Sequence, residues 1–442
     1  MKNHPLVFLQ LNEINFDLVK RYVEKFNDLP NFKKLISEYK CFETFAEREY
    51  NELEPWIQWV SVQTGKTYAE HGVFHLGDIV KKPDSLLQIF EVLEDNGLRV
   101  GVVSAMNARN KLREPAYFIP DPWTDTFPDD DGFSRRLTDM LRQTVNDNAT
   151  GKISIFSLAV IFEAVVRSFS LYRTIDLIKI IGLSRGRPWF KSLVLDQLIH
   201  LVHRRLLLKK NPDVSFVFFN AGAHIQHHYL FNTKVGDKNL SNPSWYVDQK
   251  ADPVHDMLRI YDVILGDYMA LVSDGARLMV ATGLTQVPYN RVKYYYRLKN
   301  HEDFLRCIGV SFVRVLPRMT RDFEITFNNN IDRDRAVKIL NSAYVRRGGV
   351  SIFEEIESSD SSIFVTLTYP EEIIPGDMAV YDGGEVKDFS GHVAFVAIKN
   401  GMHSSKGFAF VSPNYLGVVP SGSVYIGGLF GLTKDLSGVS AP

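Results

Sequence analysis

Cysteine is almost missing: Cys41 and Cys307 are the two in 442 residues. That excludes a disulfide framework and any Cys-x-x-Cys metal or redox motif, and it fits a reducing compartment. An excess of one charge is missing too. Lys and Arg number 51 against 52 Asp and Glu, for a net charge of −1, so no electrostatic pull toward nucleic acid exists and no such partner is expected. Met1–Pro5 leads straight into a strand-like run without a signal-peptide pattern, which makes a cytoplasmic location the expectation. No internal repeat or low-complexity tract occurs. Nor is there a convincing membrane span: the apolar run Ile153–Phe169, about 17 residues, is interrupted by Glu163 and Arg167.

What is present is an ordinary globular composition, 45% hydrophobic and 23% charged, able to bury a large core. Val7–Leu11, Leu98–Ser104, Val214–Phe219 and the run from Leu278 read as buried strands. Helical periodicity lies between them. Leu18, Tyr22, Phe26, Leu29, Phe32 and Ile36 keep near-helical spacing, with Pro30 splitting the stretch. Strand, helix, strand with short turns implies right-handed parallel units. The expected class is α/β, a mostly parallel central sheet flanked by helices. Segments 1–130, 213–299 and 376–442 would form the core, 131–212 a helical insertion and 300–375 a small α+β insertion. The apolar stretch 153–208, with basic residues such as Arg204 and Arg205 near its end, reads as an inserted helical subdomain. A membrane-apposed lid, in peripheral contact through 153–208, is its other reading.

Polar groups gather at the strand exits, where open α/β sheets carry their sites. Asn12 and Glu13 follow the first strand, and Asn15 or Asp17 is placed to cap the next helix. Glu54 precedes Pro55, which suits the first turn of a helix that Gly65 would end; a carboxylate there either caps or serves a site. Phe219 runs into a small-residue turn, Asn220–Ala223, and then His224, His227 and His228. Histidines so clustered ligate metal or move protons, and incidental histidines at a strand end are the plain alternative. His403 sits on a Gly/Ser loop before another strand, and His392 follows Ser390-Gly391.

The collinear order of these pieces resembles the alkaline phosphatase-like superfamily, particularly its phosphodiesterase/nucleotide pyrophosphatase branch. Val60–Gly65 with Glu70–Val73 is similar to the family's "TG…P..HGI" segment. Ala223-His224-Ile225-Gln226-His227 is similar to its DHxxH metal segment, and Met402–Phe408 to the stretch holding its last metal histidine. The resemblance spans most of the chain outside 130–210 and 300–375. It implies two-metal hydrolysis of phosphoesters with a Thr, Ser or Cys nucleophile. The match is depleted residue by residue. Asn12 stands at the first metal aspartate, Pro55 (beside Glu54) at the nucleophile, Ala223 at the aspartate of the metal turn, and Thr282-Gly283 at an Asp-His pair. His227 and His403 remain as ligands of one metal. The usual two-ion clamp cannot assemble from this set.

Two functions follow. One is a phosphoester or phosphodiester hydrolase or transferase with a rebuilt site, acting on a small-molecule or glycan-linked substrate (sulfate esters included). His227 and His403, with His224 beside them, would hold one divalent, zinc-like ion or act as general acid and base without metal, and Glu13 would substitute for the missing aspartate. Glu54 would act as base or nucleophile and His224 as acid–base, and Asn12, Thr282 and Gln286 would meet the substrate. The alternative is a catalytically inactive binding or regulatory module for a glycan or nucleotide-sugar, with Trp56, Trp59, Trp123 and Trp245 on stacking loops. Polar groups retained at the strand exits favour a working site, because a decayed pocket turns apolar. The metal reading depends on whether His227 and His403 lie close enough to share an ion.

Overall fold

The computed structural model describes residues 5–49, 52–147, 154–236, 240–318 and 321–439; Met1–His4 and Ile153, which the sequence reading used, lie outside the described residues. In chain order come β1 (Leu6–Leu11), α1 (Phe16–Lys25), α2 (Pro30–Glu38), β2 (Lys40–Phe45), α3 (Pro55–Thr64), α4 (Tyr68–His71), α5 (Ile89–Asp95), β3 (Val100–Val103) and β4 (Tyr117–Ile119). A helical run follows: α6 (Gly132–Asp147), α7 (Ile155–Arg167), α8 (Leu171–Ser184) and α9 (Phe190–Lys210). Then come β5 (Val214–Phe219), α10 (Ala221–Tyr229), α11 (Pro253–Ser273) and β6 (Arg277–Ala281).

β7 (Thr285–Leu298) leads into a second compact unit, residues 239–246 and 289–400. That unit holds α12 (His301–Cys307), β8 (Arg314–Pro317), β9 (Asp322–Thr326), α13 (Asn330–Ser342), β10 (Tyr344–Val345), β11 (Val350–Ser351), β12 (Phe353–Ser358), β13 (Ser362–Leu367), β14 (Ala379–Tyr381), β15 (Gly384–Val386) and α14 (Phe389–His392). β16 (Val393–Ser404) leads back to β17 (Lys406–Val411), β18 (Val424–Tyr425) and α15 (Gly428–Leu436). The second unit has two four-stranded sheets, β11-β10-β14-β15 and β12-β13-β9-β8. Its own core is built from Phe304, Phe323, Leu340, Val345, Phe353 and Val365.

The first unit is organised by an eight-stranded sheet in the order β18-β2-β17-β6-β1-β5-β3-β4. Strands β6, β1, β5, β3 and β4 run parallel, and β17 lies antiparallel between β6 and β2. The parallel strands are buried on both faces, which is why they read as continuous apolar runs. Alternation still sorts their side chains. Phe8, Val102, Phe216 and Met279 share one face with Trp59, Phe90 and Leu432. Full burial of a side chain like Phe216 contributes about 2–3 kcal/mol, and Phe216→Ala would cost about 3–5 kcal/mol.

Register places the site. Leu11 pairs with Phe219 and Gln10 with Ala281, so β1, β5 and β6 end side by side and deliver residues 12–13, 220–227 and 282–286 to one edge. The histidines expected on a turn after β5 stand instead on a helix, because α10 starts at Ala221 directly after the strand. Its small residues allow this: a Cβ on Gly222 would lie 2.3 Å from Ile14 Cδ1. Asp196 on α9 takes the N–H groups of Asn220 and Ala221 at 3.3 and 2.8 Å, so a side chain already occupies this helix N-terminus. Asn15 caps α1 by accepting from Leu18 N at 3.1 Å, and Pro30 opens α2. Among the described residues no helix is long and apolar enough to cross a membrane.

Candidate metal centre

Glu13 is the hinge of the site. It is buried, and its φ of 61° puts a non-glycine residue in the left-handed region. That conformation costs about 1–3 kcal/mol and collects at functional positions. Two hydrogen bonds hold it: Glu13 N donates to Thr282 O at 2.9 Å, and Gln226 Nε2 donates to Glu13 O at 2.9 Å. The side chain is fixed as firmly. Asn12 Nδ2 donates to Oε1 at 3.1 Å and Gln286 Nε2 to Oε2 at 2.5 Å. A carboxylate only accepts, so the amide nitrogen of Gln286 must be the atom facing it. Gln286 reaches this place because residue 401 is glycine: a Cβ there would lie 1.9 Å from Gln286 Oε1. Asn12 is itself held, donating to Asn220 Oδ1 at 2.8 Å and accepting from Trp59 Nε1 at 2.8 Å.

The carboxylate meets two imidazoles. Glu13 Oε2 lies 3.2 Å from His227 Nε2 and 3.3 Å from His403 Nε2, and the two Nε2 atoms are 3.3 Å apart. Burial opposes ionisation of Glu13, but His403 and His227 overcome it and hold the carboxyl well below its usual range. A tetrahedron with metal–ligand bonds of about 2.0 Å has edges of about 3.3 Å. The three atoms therefore trace one face of such a tetrahedron. Among the described residues this is the one group of three His, Cys, Asp or Glu side chains set to hold a metal ion. Two imidazoles and a carboxylate are a donor set of the kind that open zinc sites use. His403 Nδ1 lies 3.7 Å from Glu54 Oε2, and a carboxylate behind a ligating imidazole is the usual outer partner.

The other candidates fall as follows. Glu54 is the residue before α3, makes no side-chain cap, and is partly exposed. His224 is exposed on the first turn of α10, its ring 4.7 Å from that of His228, and stands outside the three-residue cluster. Thr282 is fully buried with its Oγ1 accepting from Phe408 N at 3.0 Å. Asn12 and Gln286 are buried with their amide nitrogens turned to Glu13. Trp59, expected on a stacking loop, is buried on α3; a ring packed against Phe8 and Phe218 cannot stack on a ligand. Gln226, which no motif marks, also belongs to the site: its amide ties Glu13 O to α10 and its Oε1 accepts from Asn15 N at 3.3 Å. Its place one residue before His227 is the sequence signal for it. A serine–histidine pair, Ser61 Oγ and His71 Nε2 at 3.2 Å, also occurs. His71 Nδ1 accepts from Val73 N at 3.0 Å, so Nε2 carries the proton and cannot take one from Ser61.

No protein-family model matches this chain, and no curated protein matches it. Solved structures do. Phosphonoacetate hydrolase from Sinorhizobium meliloti 1021, in complex with phosphonoacetate, aligns over 99% of this chain and 96% of its own at 12% identity and a TM-score of 0.41. Murine ectonucleotide pyrophosphatase/phosphodiesterase 5, an inactive form in complex with AMP, aligns over 100% and 96% at 10% identity and a TM-score of 0.42. Alkaline phosphatase from the Antarctic bacterium TAB5 aligns over 100% of both chains at 10% identity and a TM-score of 0.39. Likeness of this degree says nothing about activity.

Proposed function

We propose that this chain is a divergent alkaline phosphatase-like hydrolase of small phosphoesters or phosphodiesters, working with a single divalent, zinc-like ion held by Glu13, His227 and His403. The observation that carries the reading is the triangle of 3.2, 3.3 and 3.3 Å among Glu13 Oε2, His227 Nε2 and His403 Nε2. Glu13 takes the place of the carboxylate lost at Ala223. When bound, such an ion polarises a phosphoryl oxygen and lowers the pKa of a bound water.

The protein's own groups do the rest. Asn12 and Gln286 orient the Glu13 carboxylate and leave its Oε2 directed at the imidazoles. Glu54 supports His403 through Nδ1 and is open enough to accept a proton from an attacking water. In this scheme His224, on the first turn of α10, would be the candidate to exchange a proton with a leaving oxygen, although desolvation of its ring holds it down to about 4. Water rather than a side chain is the nucleophile in this scheme, because Pro55 occupies the position where the resembling family carries its Thr, Ser or Cys.

That same Pro55 favours the second reading, a binding module for a phosphorylated small molecule or nucleotide-sugar without turnover. Metal analysis of the purified chain, followed by assays on p-nitrophenyl phosphate and bis-p-nitrophenyl phosphate, separates the two. The hydrolase reading expects about one zinc-class ion per chain and turnover that His403→Ala abolishes. Bound metal with no turnover at high protein concentration favours the binding module. Neither metal nor turnover rejects the metal centre itself.

A further inference from the structure

Helices α7 and α8 are apolar on both faces. On α7, Ser157, Val160 and Ala164 are buried. Ile155, Leu158, Phe162 and Val166 are 87%, 55%, 71% and 57% exposed, and their spacing sets them in one outward stripe. On α8, Leu177 and Ile180 face inward while Leu171, Ile175, Ile178 and Ile181 face outward. Phe156, Phe169 and Tyr172 add exposed aromatic rings to the same hairpin. A helix apolar all round belongs in a covered place, and an apolar patch of this extent marks an interaction surface.

Charge identifies the cover. Residues 154–211 carry ten Lys and Arg against Glu163, Asp176 and Asp196, in a chain of net charge −1. Positive charge is therefore concentrated in this insertion. The acids on the hairpin are already matched. Glu163 is held by Arg136 and Arg167 at 2.6 and 2.7 Å, and Asp176 by Arg173 at 2.9 Å. Lys179 and Arg185 are exposed. Beside α8 opens a cleft of about 600 Å³ lined by Tyr172, Arg173, Lys179 and Arg204. Asp267 takes Arg173 at 2.6 Å and lies 3.9 Å from Arg204, and Asp176 takes Arg173 at 2.9 Å, so Lys179 is the cation on its wall that these acids leave for an anion. Aliphatic stripes, aromatic rings and cations together match the interface of an anionic bilayer. At 13 and 14 residues the helices are shorter than the roughly 20 residues of a span, so they would lie in the membrane plane. A second copy on the same face would bring Lys179 and Arg185 against their own counterparts with no acid to match them, which disfavours it.

The geometry points to the α7–α8 hairpin as an in-plane membrane-docking surface for anionic lipid, with the cleft beside α8 receiving a headgroup phosphate. The inference stands apart from the metal centre and needs no activity to test it. The full chain is mixed with vesicles of equal parts phosphatidylcholine and phosphatidylglycerol, or of phosphatidylcholine alone, and sedimented. It should pellet with the anionic vesicles and stay in solution with the neutral ones. The double variant Phe162→Asp, Ile178→Asp should weaken partitioning at least tenfold, by removing apolar insertion at exposed positions. Lys179→Glu and Arg185→Glu should each weaken it about fivefold and reduce its sensitivity to salt. No preference for anionic vesicles, or binding that all of these variants leave unchanged, overturns the proposal. So does a dimer in sedimentation velocity that Phe162→Asp dissolves while vesicles are ignored, since the face would then belong to a second copy.

Discussion

Helices α9 and α10 are both rich in histidine, and they use it in opposite ways. On α9 the rings are spent on each other's surroundings. His200 Nε2 meets Asp267 Oδ2 at 2.9 Å, and Tyr268 OH lies 3.3 Å from His200 Nδ1 and 2.7 Å from His203 Nδ1. His203 Nε2 meets Ser215 Oγ at 2.6 Å, which in turn meets Tyr117 OH at 2.6 Å. Every ring nitrogen has a partner, and burial pushes His203 down to about 3. On α10, His227 instead turns Nε2 toward His403 Nε2 and Glu13 Oε2, three atoms about one point. A chain of donors and acceptors ties helix to sheet. Three donor atoms about one point are the arrangement that the proposed ion requires.

That contrast can be broken experimentally. The largest effect is expected from His227→Ala or His403→Ala, which should each lower zinc affinity by at least about a hundredfold, read by competition with a chromogenic chelator. His203→Leu should leave zinc affinity unchanged; if it does not, the two histidine groups are not separate. The same variant should lose about 2–4 kcal/mol of stability in urea unfolding, because Ser215 and Tyr268 are left buried with fewer partners.

Acid should act through the structural histidines. Burial holds His203 at about 3 and His71 at about 4, whereas an unfolded histidine titrates near 6.5. Above that value neither state is protonated and stability is complete. Below it the unfolded chain takes protons that the folded chain refuses, so stability falls as pH drops toward the folded values. Each residue should remove about 2 kcal/mol between pH 7 and pH 5, and His203→Leu should lose one such share of the slope. Smaller still, Gln286→Met should weaken zinc binding about tenfold by releasing Glu13 Oε2. Trp59→Phe, which deprives Asn12 Oδ1 of its donor, should cost about 1 kcal/mol of stability with little change in metal affinity.

The α/β class and the parallel core were legible because strands buried on both faces must be continuous apolar runs, and Val7–Leu11 and Val214–Phe219 are such runs. The resemblance singled out His227 and His403 as ligands of one metal, and both stand in the triangle. Trp59 misled, since an aromatic residue in a polar neighbourhood looks the same whether it stacks on a ligand or fills a core. The turn expected after Phe219 is a helix because Ala221, Gly222 and Ala223 let α10 press against Ile14, a contact that no local pattern announces.

By itself the sequence determined the layers of the first unit and the apolar excess of residues 155–183. These follow from residue type and spacing along the chain, which local periodicity reports. Tertiary structure alone decided that Glu13, 214 positions before His227 and 390 before His403 in the chain, closes the triangle. Its left-handed backbone and its hold by Asn12 and Gln286 arise where β1, β5 and β6 end together, and register between distant strands is set by the packing of the whole sheet rather than by any one stretch.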